Sequence, residues 1–297
     1  QSIAIGIFLF ASNKTITANN EIANVTGAWP GLTAGIVVGG WDNMVIGNAV
    51  MNVRVRGIVI SGCNNTVAGN TLKKAGDTVP GGCGIYLSGS INGTVSDNIV
   101  MDCGYEGISA LLAFNNTVSG NIVKNSDYGI NLDSSFKNTI SNNKVLNNLI
   151  GVRIPDDPSF GNIFRNNDIS DNRFNLWCWG ASYLTFQDID TSNIVDGKPV
   201  IYWVNQTDKQ VPLDAGFVAL INCKNIMVKN LTLANNSHGV ILSSTKNSTV
   251  EGSNISFNHM GIELYNSKEN RIMDNNVSYN LEPGLCLVES NNNTLYH

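Results

Sequence analysis

Residues 129–150 read GINLDSSFKNTISNNKVLNNLI, and variants of this 22-residue phrase recur along almost the whole chain. Each copy opens on an anchor, a Gly or once an Asn, that precedes an aliphatic or aromatic residue. A repeat of this length is typical of a solenoid or propeller, in which each unit buries its apolar face only by stacking on neighbouring units. The anchors are Gly6, Gly35, Gly57, Gly84, Gly107, Gly129, Gly151, Asn175, Gly216, Gly239, Gly261 and Gly284.

The positions that follow each anchor show the alternation of a β-strand. The first and third positions are apolar in each copy, as at Ile130 and Leu132, whereas the second position varies. Because successive strand side chains point to opposite faces, the two apolar columns should face inward and the second column outward. The predicted outward column is Phe8, Val37, Val59, Tyr86, Ser109, Asn131, Arg153, Trp177, Val218, Ile241, Glu263 and Cys286.

The second half of each unit predicts two further strands. Residues 137–145 place β-branched side chains, which favour strands, between Asn residues, which tolerate the left-handed backbone of tight corners. Three strands and three turns per unit predict an all-β fold, a parallel β-helix of about 12–13 coils that rises about 4.8 Å per coil. We expect a single domain over residues 1–297, with an irregular coil around residues 187–215. Because the chain starts and stops in mid-repeat, we expect a fragment or processed piece of a longer exported protein.

The composition argues against two classes of partner. Only 14% of the residues are charged, 45 of 297 are Asn, and the formal net charge is -5. The protein has no basic surface that could neutralise phosphates, so we expect neither nucleic acid nor an anionic membrane as a partner. The apolar segment 3–11 is too short to span a bilayer, so we expect no membrane insertion in this segment.

The sequence also resembles a known family. Residues 129–143 resemble the repeats of the NosD-like, carbohydrate-binding and sugar-hydrolase (CASH) family of right-handed parallel β-helices. Residues 190–217 are similar to an element of large archaeal surface proteins of that family. The resemblance implies a right-handed β-helix exported to the cell surface, in places as part of a surface layer (S-layer). It does not imply a particular activity, because the matching residues are those that build coils.

Twelve Asn-x-Ser/Thr sequons are potential glycosylation sites, which would make the chain a glycoprotein if it is exported. The alternative is that a repeat containing Asn-Asn-Thr generates sequons by construction, with several Asn turned inward or stacked in ladders. The acceptor residues are Asn13, Asn24, Asn64, Asn92, Asn115, Asn205, Asn230, Asn235, Asn247, Asn254, Asn276 and Asn292.

Cysteine and histidine patterns predict at most one cross-link and no metal site. Among six Cys, Cys83 and Cys103 share a corner of adjacent coils and form the candidate disulfide pair. The three His are scattered and there is no Cys-x-x-Cys, so we expect neither a metal site nor a cofactor.

One stretch of the outward column suggests a glycan-binding face. There, paired carboxylates on neighbouring coils could serve glycoside chemistry and indole rings could stack on sugars. The alternative is that residues 153–158 simply form a strand that runs into a Pro-fixed turn. The candidate face comprises Tyr86, Asn131, Asp133, Arg153, Asp156, Asp157, Trp177 and Trp179.

Two functional hypotheses remain open. The first is a non-catalytic extracellular β-solenoid, a structural or adhesive cell-surface or fibre-forming module that self-associates through its terminal coils or contacts neighbouring surface proteins. The alternative is a polysaccharide-binding or polysaccharide-cleaving β-helix. The small number of ionisable residues favours the first hypothesis, so we assign no catalytic residue and regard an enzyme as the less favoured case.

Overall fold

The computed structural model describes residues 4–27, 33–76, 81–155, 159–178 and 187–296. These residues form a parallel β-solenoid of about 11 turns with about 22 residues per turn, and none of them is in a helix, which confirms the predicted fold class. Accordingly, this part of the chain offers no helix that is long and apolar enough to cross a membrane.

The strands are short and follow one another around the rod. The first turns contain β1 (Ile5–Asn13), β2 (Ile16–Ala18), β3 (Glu21–Ala23), β4 (Ala34–Trp41), β5 (Met44–Ile46), β6 (Ala49–Val53), β7 (Arg56–Cys63), β8 (Thr66–Ala68), β9 (Thr71–Ala75), β10 (Cys83–Ile91), β11 (Thr94–Ser96) and β12 (Ile99–Met101). The middle turns contain β13 (Glu106–Leu111), β14 (Thr117–Ser119), β15 (Ile122–Lys124), β16 (Tyr128–Asp133), β17 (Thr139–Ser141), β18 (Lys144–Leu146), β19 (Ile150–Ile154), β20 (Ile163–Arg165), β21 (Asp168–Ser170), β22 (Phe174–Cys178), β23 (Asp188–Ile189) and β24 (Ile194–Val195). The last turns contain β25 (Lys198–Val204), β26 (Thr207–Gln210), β27 (Phe217–Ile221), β28 (Lys224–Lys229), β29 (Thr232–Leu233), β30 (His238–Ser243), β31 (Thr249–Glu251), β32 (Asn254–Ser256), β33 (Met260–Tyr265), β34 (Arg271–Met273), β35 (Asn276–Ser278), β36 (Leu285–Val288) and β37 (Thr294–Tyr296).

Equivalent strands of successive turns pair in parallel and build long sheets. Sheet 1 has the order β1-β4-β7-β10-β13-β16-β19-β22, and sheet 2 has the order β2-β5-β8-β11-β14-β17-β20-β23. Sheet 3 begins with the third strand of each early turn and continues, after an antiparallel β24–β25 pair, with β25-β27-β30-β33-β36. We call residues 4–195 the first segment and residues 198–296 the second segment.

The anchor position is occupied by glycine because a side chain would collide there. A Cβ atom on Gly84 would lie 2.5 Å from Cγ1 of Val100 and 2.7 Å from the carbonyl oxygen of Gly107, the anchor of the next turn. At such distances the backbone or the core would have to shift. The repeated anchor is therefore a packing requirement of the stacked turns.

Asparagine side chains form ladders inside the corners. Asn121 accepts hydrogen bonds from the backbone N–H and the amide group of Asn98 (3.0 and 2.9 Å), and its own amide donates to Asn143 Oδ1 (3.0 Å). Asn142, the first residue of the Asn142-Asn143 pair, has a φ of 56°, in the left-handed region that Asn tolerates. The many Asn residues thus form hydrogen bonds with buried backbone groups and adopt the left-handed backbone of the sharp corners.

The second segment packs across the end of the first segment. Alternate residues of β27 belong to two different hydrophobic clusters: Phe217, Ala219 and Ile221 to the cluster of the first segment, Val218 and Leu220 to that of the second. Both faces of this strand are therefore covered by apolar clusters.

The pairing register corrects one column of the alignment. Ala219, and not Val218, pairs with Ile241, which in turn pairs with Glu263, so the Gly216 unit is shifted by one position. Val218 belongs to the cluster of the second segment, and Ile241 is fully buried in the cluster of the first segment. The outward assignment of these two residues was wrong, because sequence periodicity does not show which outer faces are covered by another part of the chain.

Candidate functional site

A polar groove lies on the outer face of sheet 1, in the middle of the first segment. Its volume is about 330 Å³. Three neighbouring strands, β10, β13 and β16, supply most of its lining, and β19 contributes Arg153. The lining residues are Gly81, Tyr86, Tyr105, Glu106, Ser109, Leu111, Asn131, Asp133 and Arg153.

A series of hydrogen bonds connects three of these residues on successive turns. Asn131 donates through Nδ2 to Glu106 Oε1 (2.7 Å), and Arg153 donates through Nη1 to Asn131 Oδ1 (3.1 Å). Glu106 is only 7% exposed and Asn131 only 3%. The amide is thus held by an acceptor on one side and a cation on the other, which fixes the orientation of all three groups.

Burial raises the pKa of the Glu106 carboxyl above its usual value. Hydrogen bonds from Ser109 and Asn131 and the charge of Arg153 oppose this rise, whereas the negative charge of Asp133 adds to it. Desolvation is the largest cause, so Glu106 holds its proton to a higher pH than an exposed glutamate does. Such a carboxyl is a candidate functional group, although buried structural networks produce the same shift.

Two guanidinium groups pack on aromatic rings in and beside the groove. The guanidinium carbon of Arg56 lies 4.3 Å from the ring centroid of Tyr86, and that of Arg153 lies 5.5 Å from the centroid of Tyr128. Tyr128 in turn packs edge-to-face on Tyr105, with centroids 5.1 Å apart. These contacts hold flat apolar surfaces beside the polar network.

The structure brings four of the predicted face residues to the groove: Tyr86, Asn131, Asp133 and Arg153. Trp177 pairs with Arg153 in the register, but its ring packs on His259 (4.6 Å between centroids) and on Phe174 (5.4 Å) instead of lining the groove. The remaining predicted members, Asp156, Asp157 and Trp179, lie outside the described residues.

Glu106, the most buried carboxylate of the groove, was not among the residues predicted from the sequence. It occupies the position immediately before the anchor Gly107, a column that reads Arg56, Cys83, Glu106 and Tyr128 on successive turns. In a regular strand, Glu106 and Ser109 would point to opposite faces because they are three positions apart. In the structure, however, both line the same groove. The signal available in the sequence was that Glu106 stands in a column with no other carboxylate.

The sequon asparagines all lie at the surface. Eleven of them are exposed and Asn235 is half-buried. In Asn64-Asn65 and Asn115-Asn116 the sequon residue is exposed, while the second Asn is buried in a ladder. Buried, stacked asparagines thus occur beside the sequon residues, and glycosylation stays a prediction.

The two cysteines of the candidate disulfide lie close together as free thiols. Cys83 and Cys103 are both buried, and burial raises the pKa of Cys83 strongly and that of Cys103 to about 12. Thiols held protonated in this way are poor nucleophiles for disulfide exchange. Their pairing stays a prediction.

The family model described as "Periplasmic copper-binding protein (NosD)" matches residues 2–201 and 159–297, and the chain belongs to this family. No curated protein matches the chain in sequence.

Several solved structures match the chain at low identity. A mutant of the periplasmic alginate epimerase AlgG is 12% identical, with 92% of this chain covered and a TM-score of 0.44. The Dettilon tailspike protein (gp208) is also 12% identical, with 95% covered and a TM-score of 0.44. PfbA, a surface adhesin of Streptococcus pneumoniae, is 13% identical, with 92% of this chain and 80% of the adhesin covered and a TM-score of 0.43. The chain spans 64% of the epimerase and 60% of the tailspike, less than two thirds of either.

The described residues do not fit the copper centre that the family description names. They contain no group of three or more His, Cys, Asp or Glu side chains that could hold a metal ion. Both ring nitrogens of His238 have protein partners: Nδ1 lies 3.0 Å from Ser237 Oγ and Nε2 lies 3.1 Å from Glu263 Oε2. A copper ligand would have to leave one of these partners, so we derive no chemistry through copper.

Proposed function

We propose that this member of the NosD family is a non-catalytic solenoid that binds an extended polysaccharide in the groove on the outer face of sheet 1. The observation that carries this proposal is the hydrogen-bonded series of Glu106, Asn131 and Arg153 beside the Tyr86 ring. Binding sites for polar ligands combine a few fixed donors and acceptors with apolar or aromatic surface. Sugars offer the matching chemistry, with hydroxyl groups around the ring edge and C–H groups on the ring face.

The repeat suggests how a polymer would lie. Ser109, Asn131 and Arg153 occupy equivalent places on successive strands, about 4.8 Å apart along the rod. This rise is close to the length of one sugar unit in an extended polysaccharide. A polymer along the rod axis would therefore present successive sugars to successive turns.

The two acidic residues of the groove lie near each other although their backbones are offset. Glu106 pairs with Tyr128 in the strand register, whereas Asp133 pairs with Leu111. The Glu106 carboxyl nevertheless accepts a hydrogen bond from Asn131, two residues before Asp133, and the charge of Asp133 raises its pKa. This arrangement is compatible with binding and with acid–base chemistry, so turnover assays decide between the two.

An exported location supports the same function. The family is described as periplasmic, and polysaccharides of cell envelopes lie outside the cytoplasm. We therefore propose a periplasmic or extracellular location. Attachment to the cell surface, membership of an S-layer and fibre formation through terminal coils stay predictions.

The test is a binding measurement with purified protein against alginate, polygalacturonate and a neutral β-glucan, by affinity electrophoresis and calorimetry. We expect at least one polymer to bind, and Arg153→Ala to weaken that binding at least tenfold, because a hydrogen bond to a charged group contributes about 1.5–3 kcal/mol. The matched control is Arg271→Ala, which removes an exposed arginine of the second segment. Equal binding by both variants, or no binding to any polymer, would overturn the proposal.

A polysaccharide-cleaving enzyme is the second candidate, supported by the raised pKa of Glu106 inside the groove. A carboxyl of this kind can act as a general acid. Reducing-sugar and unsaturated-product assays on the bound polymer separate the candidates. Turnover that Glu106→Gln abolishes without loss of binding would establish the enzyme instead.

A further inference from the structure

The corner that follows sheet 1 carries apolar side chains on six successive turns, which we call the corner stripe. Strand register and β-bridges pair neighbouring members from Trp41 through to Phe136. The backbone N–H of Lys137, the residue after Phe136, donates to the carbonyl oxygen of Phe160. Trp41 is 54% exposed, Phe160 43% and Phe114 40%. The stripe consists of Trp41, Cys63, Ile91, Phe114, Phe136 and Phe160.

The corner stripe is a large apolar feature for an isolated molecule. The five steps of about 4.8 Å between the six turns give a length of about 24 Å. Single exposed apolar residues need no explanation, but contiguous ones mark an interaction surface. The stripe lies on a corner outside the polar groove, so the proposed polysaccharide site leaves it uncovered.

The shape of the stripe fits a protein surface better than a sugar polymer. Phe136 and Phe160 pack edge-to-face, with centroids 4.7 Å apart and planes at 63°, so they present no common flat platform. The ammonium group of Lys137 lies over the Phe114 ring, 5.5 Å from its centroid, where it would compete with a sugar for the ring face. Aromatic and aliphatic side chains in this arrangement are typical of the core of a protein–protein interface.

A charged row beside the stripe indicates the partner. The adjacent corner residues are all exposed, and each donates its backbone N–H to a stripe residue of the next turn. The row has Asp42 near one end, Lys137 near the other, and asparagines on the three turns between them. In order, the row is Lys14, Asp42, Asn64, Asn92, Asn115 and Lys137.

We propose that two copies of this chain associate side by side and antiparallel through their corner stripes, about a twofold axis at Ile91. This operation places Asp42 of each copy opposite Lys137 of the other, and Trp41 opposite Phe136. A twofold interface must be self-complementary, and the positions of the two charges at equal distances from Ile91 meet this requirement. The strip is narrow compared with a standard interface of about 1,600 Å², so we expect a dissociation constant in the micromolar range.

Sedimentation velocity on the intact chain from about 1 to about 100 μM tests the proposal. We expect a monomer–dimer equilibrium that Phe114→Asp removes, while circular dichroism and melting temperature stay unchanged because Phe114 is at the surface. Asp42→Lys should raise the dissociation constant about tenfold, and Asp42→Lys combined with Lys137→Asp should restore it to within about threefold. The charge swap separates a specific antiparallel dimer from general stickiness.

A cross-link tests the position of the axis. In a Cys63→Ser background, Ile91→Cys should form a covalent dimer under mild oxidation, because the residue meets its own copy at the axis. Leu281→Cys in the same background is the matched control, since Leu281 is 59% exposed but far along the chain from the stripe; it should remain monomeric.

Three outcomes would overturn the dimer. The chain could stay monomeric across the whole concentration range, or the dimer could survive Phe114→Asp. Alternatively, Phe114→Asp could weaken binding of the monomer to alginate, which would identify a polysaccharide as the occupant of the stripe. Because Arg153→Ala acts in the groove and Phe114→Asp on the stripe, failure of one proposal is distinguishable from failure of the other.

Discussion

At the scale of single residues, asparagine side chains form the buried polar contacts that charged side chains form in many other proteins. Asn121 is fully buried, and each polar atom of its side chain has a partner: its amide donates to Val95 O, Ser119 O and Asn143 Oδ1. Such a ladder tolerates no gap, because one missing rung leaves buried donors on the adjacent turn without acceptors.

Replacement of a ladder rung should therefore be costly. Asn121→Ala removes the acceptor of two Asn98 donors and should lower the free energy of unfolding by about 2–4 kcal/mol. Asn254→Ala is the matched control at an exposed Asn outside the left-handed region, with an expected change within about 0.5 kcal/mol. Urea denaturation of both variants measures the difference. Similar losses in both would show that the ladder contributes little.

The buried carboxyl of the groove should make stability depend on pH. Since burial raises the pKa of Glu106 in the folded state, its contribution is fully present below the ordinary value of 4.5 and is lost as the pH rises through the raised pKa. The melting temperature of the wild type should therefore fall relative to that of Glu106→Gln as the pH increases from acid to neutral. Thermal scans across this range test the sign. The exposed Glu289→Gln should follow the wild type, and a difference with the opposite slope would contradict the assignment.

At the scale of strands, the sequence was sufficient where each turn repeats the one before. The anchor glycines and the columns at Ile130 and Leu132 predicted the strands of sheet 1, because a side chain inside a parallel sheet has the same surroundings on successive turns. Glu106 was missed for the opposite reason: it occurs once, in a column that is Cys83 on one side and Tyr128 on the other. Repetition reveals the scaffold, whereas the groove depends on departures from repetition.

One strand should be much less protected than its neighbours. All four residues of β26 (Thr207–Gln210) are exposed, and the strand lies at the edge of its sheet, paired only with β28. In hydrogen-exchange mass spectrometry, peptides of β26 should exchange on the order of 100-fold faster than peptides of β28, which has strands on both sides. The central strand β14 (Thr117–Ser119) is the control for full protection. Equal protection of β26 and β28 would show that the edge is covered.

At the scale of the whole molecule, two proposed surfaces lie on neighbouring parts of the first segment. The groove uses the outer face of sheet 1, and the corner stripe follows the end of the same strands. A glycan on Asn92 would lie next to Ile91 on the proposed twofold axis and would block the dimer. Glycosylation of Asn92 and dimerisation are therefore mutually exclusive, which intact-mass analysis of separated monomer and dimer can show.

The packing of the second segment on the first could not be predicted from the repeat. The sequence of β30 places Val240, Ile241 and Leu242 in one apolar run, which is compatible with any strand buried on both faces. What covers Ile241 is the end of the first segment's core, a contact between residues far apart in the chain. The repeat pattern reflects the surroundings within each turn and carries no information about such contacts.

The buried face of β30 should couple the unfolding of the two segments. Solenoids unfold cooperatively when interfaces between neighbouring units are stable, so the wild type should show one denaturation transition. Ile241→Asp buries a charge where the two cores meet and should split that transition into two, because each segment retains its own hydrophobic cluster. Leu242→Ala, on the same strand but facing only the second core, should lower stability by about 2–4 kcal/mol while tryptophan fluorescence and circular dichroism still report coincident transitions. Coincident transitions in Ile241→Asp would mean that the segments are held together mainly by the hydrogen bonds of β22 with residues 235–237.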